Sequence, residues 1–179
     1  VARIYGYNNL PSTNPAATME IPAKPEVHRP LSILRRHMVS RGYQEAITYS
    51  MVEPELLAKF DDQNKPVELI NPISADMAVM RTSLWPGLVK ALQHNQNRQQ
   101  PRVRLFETGQ RFIPSEQGLQ QQDVFAGLIY GSRHPESWHG KAEQVDYFDV
   151  KGDLESLLSL SGQNFSFEAA GHLALHPGQ

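Results

Sequence analysis

From Pro30 onward the apolar positions fall into a helical rhythm, with Leu31, Leu34 and Met38 recurring at i, i+3 and i+7, a spacing that places them on one helix face. Pro30 suits a first-turn position and Gly42 suits the residue just past the last turn, so a helix is predicted over 30–41. Arg35, Arg36 and Arg41 lie largely off the apolar stripe. The pattern then switches period. Residues 46–52 alternate, with Ile47, Tyr49 and Met51 to one side, which predicts a half-buried strand. A short helix at 54–60, a turn at 61–65 and a strand at 67–70 follow, the last closed by Asn71 and Pro72. Ser83 is placed to cap a helix running to about Arg98, with Pro86 in its first turn and Leu84, Leu88 and Leu92 repeating every fourth residue.

Beyond that helix, residues 102–108 and 112–113 read as two strands around a tight turn at Gly109, Gln110 and Arg111. A further strand is predicted at 124–130. Residues 131–145 form a polar loop with Trp138 closing the edge of the core. Asp149 is placed to cap a helix whose Val150, Leu154, Leu157 and Leu158 face inward. Phe165 and Phe167 mark one more alternating strand. Strands outnumber helices and several follow one another directly, so the expected class is α+β, a mainly antiparallel sheet with packed helices.

The first 28 residues hold Pro11, Pro15, Pro22 and Pro25 and sustain no periodic pattern after Tyr7. They read as a linker carrying the tail of an upstream unit, and 29–179 reads as one domain, expected to be cut short at its C-terminal end. At 179 residues and 40% hydrophobic composition, a core can form without staples. Cysteine is absent, which excludes thiol nucleophiles and Cys-ligated metals. No membrane span or cleavable leader is evident, and a cytosolic location is expected.

Net charge is only −2, but it is distributed in blocks: +4 over 28–41, −5 over 42–80, +5 over 81–111 and −6 over 112–179. The second basic block contains Arg98, Arg102, Arg104 and Arg111. Arg102 and Arg104 alternate on one strand face with Phe106, while Glu107 points to the other. Two outcomes stay open for this pair, phosphate contact with RNA or pairing with acids of a neighbouring segment. Phosphate-cradling glycine loops and GxSxG are missing. Two histidine pairs, His134 with His139 and His172 with His176, have ligand-like spacing, yet Pro177 disfavours helical geometry at the second. Glu136, Trp138 and His139 form a polar loop better read as structural than catalytic.

Several stretches, in order along the chain, resemble the β subunit of bacterial phenylalanyl-tRNA synthetase. They are ArgIleTyrGlyTyrAsnAsnLeuPro at 3–11, ArgGlyTyrGlnGluAlaIleThrTyrSer at 41–50, AsnProIleSer at 71–74, MetArgThrSerLeuTrpProGly at 80–87, AsnGlnAsnArg at 95–98 and ArgLeuPheGluThrGlyGlnArgPhe at 104–112. TyrPheAspValLysGlyAspLeuGluSerLeuLeu at 147–158 and LeuHisProGlyGln at 175–179 complete the set. The resemblance implies the catalytic-like module, a class II synthetase-type fold that has lost the active site kept by the α subunit. It puts 102–113 in the place of class II motif 2, where ArgLeuPheGlu departs from the usual Arg-x-Glu. It also puts the helix at 30–41 and the following strand in the place of motif 1, which builds a dimer interface.

The resemblance therefore implies a non-catalytic structural module with no catalytic, cofactor or metal residue of its own. The α subunit would be its partner in an α2β2 heterotetramer. Leu31, Leu34, Arg35, Arg36 and Met38 become interface candidates, and Arg98, Arg102, Arg104 and Arg111 candidates for contact with the phenylalanine tRNA. ATP and magnesium are implied for the whole enzyme only, the magnesium-holding acids being expected upstream of Val1. The alternatives are a self-standing RNA-binding module and a small metal-dependent enzyme. The first would need one continuous basic face and the second a cluster of carboxylates or histidines.

Overall fold

The computed structural model describes residues 2–12, 14, 29–116, 118–138 and 143–175. Helix α1 (Ala2–Tyr5) and a 3-10 turn at Tyr7–Asn9 lie exposed near the start. Next come α2 (Leu31–Ser40), β1 (Gln44–Glu45), β2 (Met51–Val52), α3 (Pro54–Ala58) and β3 (Val79–Met80). Then follow α4 (Trp85–Asn97), β4 (Arg102–Ser115), β5 (Gly118–Gly131) and α5 (Tyr147–Leu158). The class is α+β, with mixed and antiparallel pairing. One sheet has the order β1-β4-β5, with β1 parallel and β5 antiparallel to β4, and β2 pairs antiparallel with β3.

The β4–β5 hairpin organises the molecule, and each face of β4 carries its own core. Val103 and Leu105 point to α4 and pack with Leu88. Phe106 points the other way, into Met38, Tyr43 and Leu157, with α2 and α5 covering it. Its ring stacks on Phe125 of β5 with centroids 5.6 Å apart. A strand buried on both faces reads as a run of inward residues rather than a clean alternation. Val52, Leu57 and Val79 make a smaller cluster beside α3.

Several local expectations meet this architecture well. Helix α2 ends as predicted: Arg41 is its C-cap, and Gly42 follows at φ +82°, in the left-handed region that favours glycine. Others are corrected. The predicted turn at 109–111 does not exist, because β4 runs unbroken from Arg102 to Ser115 and the last pair of the hairpin is Ser115 with Gly118. Gly109 serves a close approach instead. A Cβ there would sit 2.4 Å from the Arg81 guanidinium, so the missing side chain makes room for that group to lie across the strand.

The strand predicted at 46–52 is interrupted. Only Met51 and Val52 remain in a strand, and Ile47 is 92% exposed, because the backbone and hydroxyl of Thr48 turn to Glu107 rather than to a ladder. Residues 67–70 make a single bridge, Glu68 to Val79, and Phe165 and Phe167 lie outside any strand. The cap of α4 is Leu84; Ser83 accepts a bond from the Trp85 N–H at 3.3 Å without being the cap. The cap of α5 is Asp146. Asp149 stands three residues in and completes a capping box by accepting from the Asp146 N–H, the reciprocal arrangement that satisfies orphan donors at a helix start.

On α5 the inward positions are Asp153 and Leu157, while Val150 and Leu154 are exposed. Trp138 is exposed too and does not close the core edge. His139, His176 and most of the 1–28 segment lie outside the described residues. Among the described residues no helix is long and apolar enough to cross a membrane.

Candidate functional site

Two buried ionic centres flank β4, one on each face. On the α4 side, Arg81 Nη1 donates to Glu107 Oε1 at 2.7 Å, and the two side chains are 5% and 3% exposed. Arg81 Nε donates to the Gln110 carbonyl at 2.9 Å. The Thr48 hydroxyl donates to the other Glu107 oxygen, Oε2, at 2.8 Å, and the Thr48 backbone N–H donates to Oε1 at 3.2 Å. Both oxygens of the buried Glu107 carboxylate therefore accept hydrogen bonds, the condition under which a buried charge pair is tolerated. The centre ties the loop after β1, the segment before α4 and mid-β4 into one unit.

On the opposite face, Asp153 of α5 gathers three donors. The Tyr43 hydroxyl lies at 2.7 Å, Arg41 Nε at 2.5 Å and Arg104 Nη1 at 3.1 Å. Arg104 and Asp153 are each 8% exposed at the side chain. Arg104 also stands over the Tyr43 ring at 5.5 Å. Burial, and then the bond to Asp153, pushes the Tyr43 phenol well above its ordinary value, so it is a fixed donor at neutral pH. Beside this centre is a cleft of about 580 Å³, lined by Ser40, Gly42, Arg102, Arg133 and Phe148 among others. Arg133 closes one side through Glu143, Asp146 and Asp149 at 2.9, 3.1 and 3.0 Å.

The sequence left two outcomes open for Arg102 and Arg104, and the structure divides them. Arg104 pairs with an acid of the −6 block, Asp153. Arg102 reaches the cleft with no ion pair or hydrogen bond among the described residues. Arg98 is exposed at the end of α4 and contacts His94. Arg111 bonds Gln122 and borders a separate depression of about 430 Å³ with Asp61, Asp62 and His172. Arg111 stands nine residues along β4 from Arg102, roughly 30 Å at a strand's rise per residue. The four arginines therefore do not form one continuous basic face.

Along α2, Met38 is buried at 4%, Leu34 is partly buried against the Phe106 cluster and Leu31 is 46% exposed. Arg35 crosses to β4 and β1, donating to the Thr108 hydroxyl at 2.6 Å and pairing with Glu45 at 2.9 Å. Arg36 is exposed. Sequence reasoning missed Asp153, Tyr43, Thr48 and Arg81 as members of these centres. The one available signal was that an inward Arg104 needs an acid; which acid depended on how α5 docks.

Residues 10–179 match the family model described as phenylalanyl tRNA synthetase beta chain CLM domain. The chain is 58% identical over 181 residues to a phenylalanine–tRNA ligase beta subunit of Pseudomonas putida. It is 52% identical over 179 residues to the protein of that name from Hahella chejuensis, and 50% over 184 residues to that from Aliivibrio fischeri. Each alignment covers 100% of this chain and 23% of the relative, so the chain spans about a quarter of the length of these relatives.

Proposed function

This chain belongs to the phenylalanyl tRNA synthetase beta chain CLM domain family, and from that premise we propose that it is a non-catalytic, architectural module of a phenylalanine–tRNA ligase β subunit. In the whole enzyme, phenylalanine would be joined to its tRNA with ATP and magnesium by other parts of the assembly. The α subunit would be the direct partner in an α2β2 heterotetramer, working in the cytoplasm. Residues 29–179 would be the module and 1–28 its lead-in.

The observation that carries this reading is the fate of the charged groups at the centre of β4. Arg81 and Glu107 satisfy one another, and Arg104 is held by Asp153. Guanidiniums neutralised in this way are poor ligands for a nucleotide triphosphate, because each would have to abandon a buried carboxylate. The residues present therefore do not fit ATP at mid-β4.

A class II synthetase-type fold is the finer form of the proposal. It is supported by a hairpin of two 14-residue antiparallel strands with α2 packed behind it, which suit the places of motifs 2 and 1. Leu31, Leu34, Arg35, Arg36 and Met38 would then border the α-subunit interface, the exposed Leu31 and Arg36 offering contact and the buried Met38 rigidity. For Arg98, Arg102, Arg104 and Arg111 we propose at most weak, sequence-independent tRNA contact, since they are dispersed and Arg104 is internally paired. That dispersal also disfavours a self-standing RNA-binding module. ATP–pyrophosphate exchange tests the main reading: no phenylalanine-dependent exchange above a mock preparation is expected from this chain alone, and clear exchange would overturn it.

A further inference from the structure

The segment after β1 is pinned at every second residue. Ala46 donates its N–H to the Phe106 carbonyl at 2.7 Å, and the Ser50 carbonyl accepts from the Arg81 N–H at 2.9 Å. Between them, Thr48 donates both its N–H and its hydroxyl to the buried Glu107 carboxylate, and its Oγ1 accepts from Arg81 Nη1 at 3.2 Å. Helix α4 closes directly on the same hydroxyl: a Cβ on Gly87 would lie 2.1 Å from Thr48 Oγ1. Ala46, Thr48 and Ser50 are half-buried, whereas Ile47 and Tyr49 are 92% and 67% exposed. Two large apolar side chains are therefore presented to solvent by backbone that is fixed on either side of each. Apolar residues scattered singly over a surface need no explanation. A pair carried on an anchored segment differs, because its backbone has little freedom left to lose on docking.

We infer that Ile47 and Tyr49 form a preorganised contact for the α subunit, and that Thr48, Glu107 and Arg81 are its positioning residues. The inference rests on the reading of a β-subunit module with an α-subunit partner, and it goes beyond the α2 residues named for that interface. Continuity selects this occupant. Arg35 of α2 pairs with Glu45 at 2.9 Å and donates to the Thr108 hydroxyl at 2.6 Å, so the segment beginning at Ala46 carries on from the α2 surface, which itself exposes Leu31 and Val39. A large aromatic beside an aliphatic side chain is the kind of anchor that fills a partner's apolar pocket. The Arg81–Glu107 centre then has a role beyond its own stability. By accepting both Thr48 donors, one on each oxygen, the Glu107 carboxylate fixes the direction of Thr48 and so turns its two neighbours outward.

The test measures binding of the full chain to the α subunit by calorimetry, well below the melting temperature, for the parent and for I47S, Y49S and I70S. Ile70 is 96% exposed but lies outside the pinned segment, so I70S controls for loss of any surface apolar group. I47S and Y49S should melt like the parent and bind the α subunit at least about tenfold more weakly, a difference of ~1.4 kcal/mol. I70S should bind like the parent. The positioning role is read from T48V, which keeps the shape and loses the hydroxyl, and T48S, which keeps the hydroxyl. T48V should weaken binding in the parent but add nothing in an I47S/Y49S background, and T48S should restore it. A purely structural Thr48 would lower the melting temperature of T48V and leave its affinity unchanged, which would overturn the positioning role. A parent that binds the α subunit while I47S and Y49S bind equally well, or an equal loss in I70S, would overturn the inference and leave the interface reading intact. A parent with no affinity for the α subunit would overturn both. Sedimentation of the chain alone should give no dimer sensitive to I47S; such a dimer would make a second copy the occupant and overturn the assignment.

Discussion

Arg81 and Glu107 meet across 26 residues of sequence at 2.7 Å, and both side chains are almost wholly removed from solvent. An ion pair so placed cannot be judged by its attraction alone, because each charge has lost its hydration and depends on the other and on Thr48 and Gln110 for replacement. Its main effect is to set how β4 sits against the segment leading into α4.

Removing one partner should therefore cost far more than removing both. Glu107→Gln is expected to lower stability by about 3–5 kcal/mol, whereas a double replacement of Arg81 and Glu107 by Met should cost less than the single change. Urea unfolding of the two single variants and the double variant checks this. Additive losses would show that the two groups are not coupled.

Gly109→Ala probes the same centre from the backbone side. The new methyl group would have to share space with the Arg81 guanidinium, 2.4 Å away, so a loss of about 1–3 kcal/mol is expected, as for overpacking elsewhere. In an Arg81→Met background the penalty should shrink. Melting curves of the four proteins measure the difference.

Helix α2 should show graded sensitivity along one face. Met38→Ala is expected to cost about 2–5 kcal/mol and Leu34→Ala less, since Leu34 is only partly covered. Leu31→Ala and Arg36→Ala should stay within about 0.5 kcal/mol in the isolated chain. Chemical unfolding gives these values. A weakened association of Leu31→Ala or Arg36→Ala with the α subunit, at unchanged stability, is what the interface proposal requires.

The start of α5 should be acid-sensitive. The Asp146 N–H, opposed by a smaller burial effect, and then Arg133 hold the Asp149 carboxyl below its ordinary value. A carboxyl depressed in the folded state stabilises at pH values above its unfolded pKa, about 3.9, and that contribution is lost as pH falls through the folded value. Asp149→Asn should therefore melt lower than the parent near neutrality, and the two curves should converge as pH drops below about 4. Parallel curves down to pH 2 would show that Asp149 contributes nothing through its charge.

The amino-acid sequence alone specified the elements whose signals are local. Leu31, Leu34 and Met38 state a helix by spacing, Gly42 marks its end, and the Leu88 and Leu92 repeat states α4, because periodicity is a property of neighbouring residues and needs no partner. It also determined that Arg104 and Glu107 face opposite sides of one strand. The tertiary structure decided which residues they meet. Arg41 reaches Asp153 over 112 residues and Arg104 over 49, distances at which no local pattern selects one acid among those of the −6 block. It likewise decided that Gly109 lies within a strand rather than at a turn, since a glycine signals both a reversal and a close approach and only the packed Arg81 tells them apart. Finally, it decided that Ile47 stays exposed and Asp153 is buried, against their hydropathies, because the bonds from Thr48 to Glu107 and those from Tyr43, Arg41 and Arg104 to Asp153 outweigh intrinsic preference once the helices have docked.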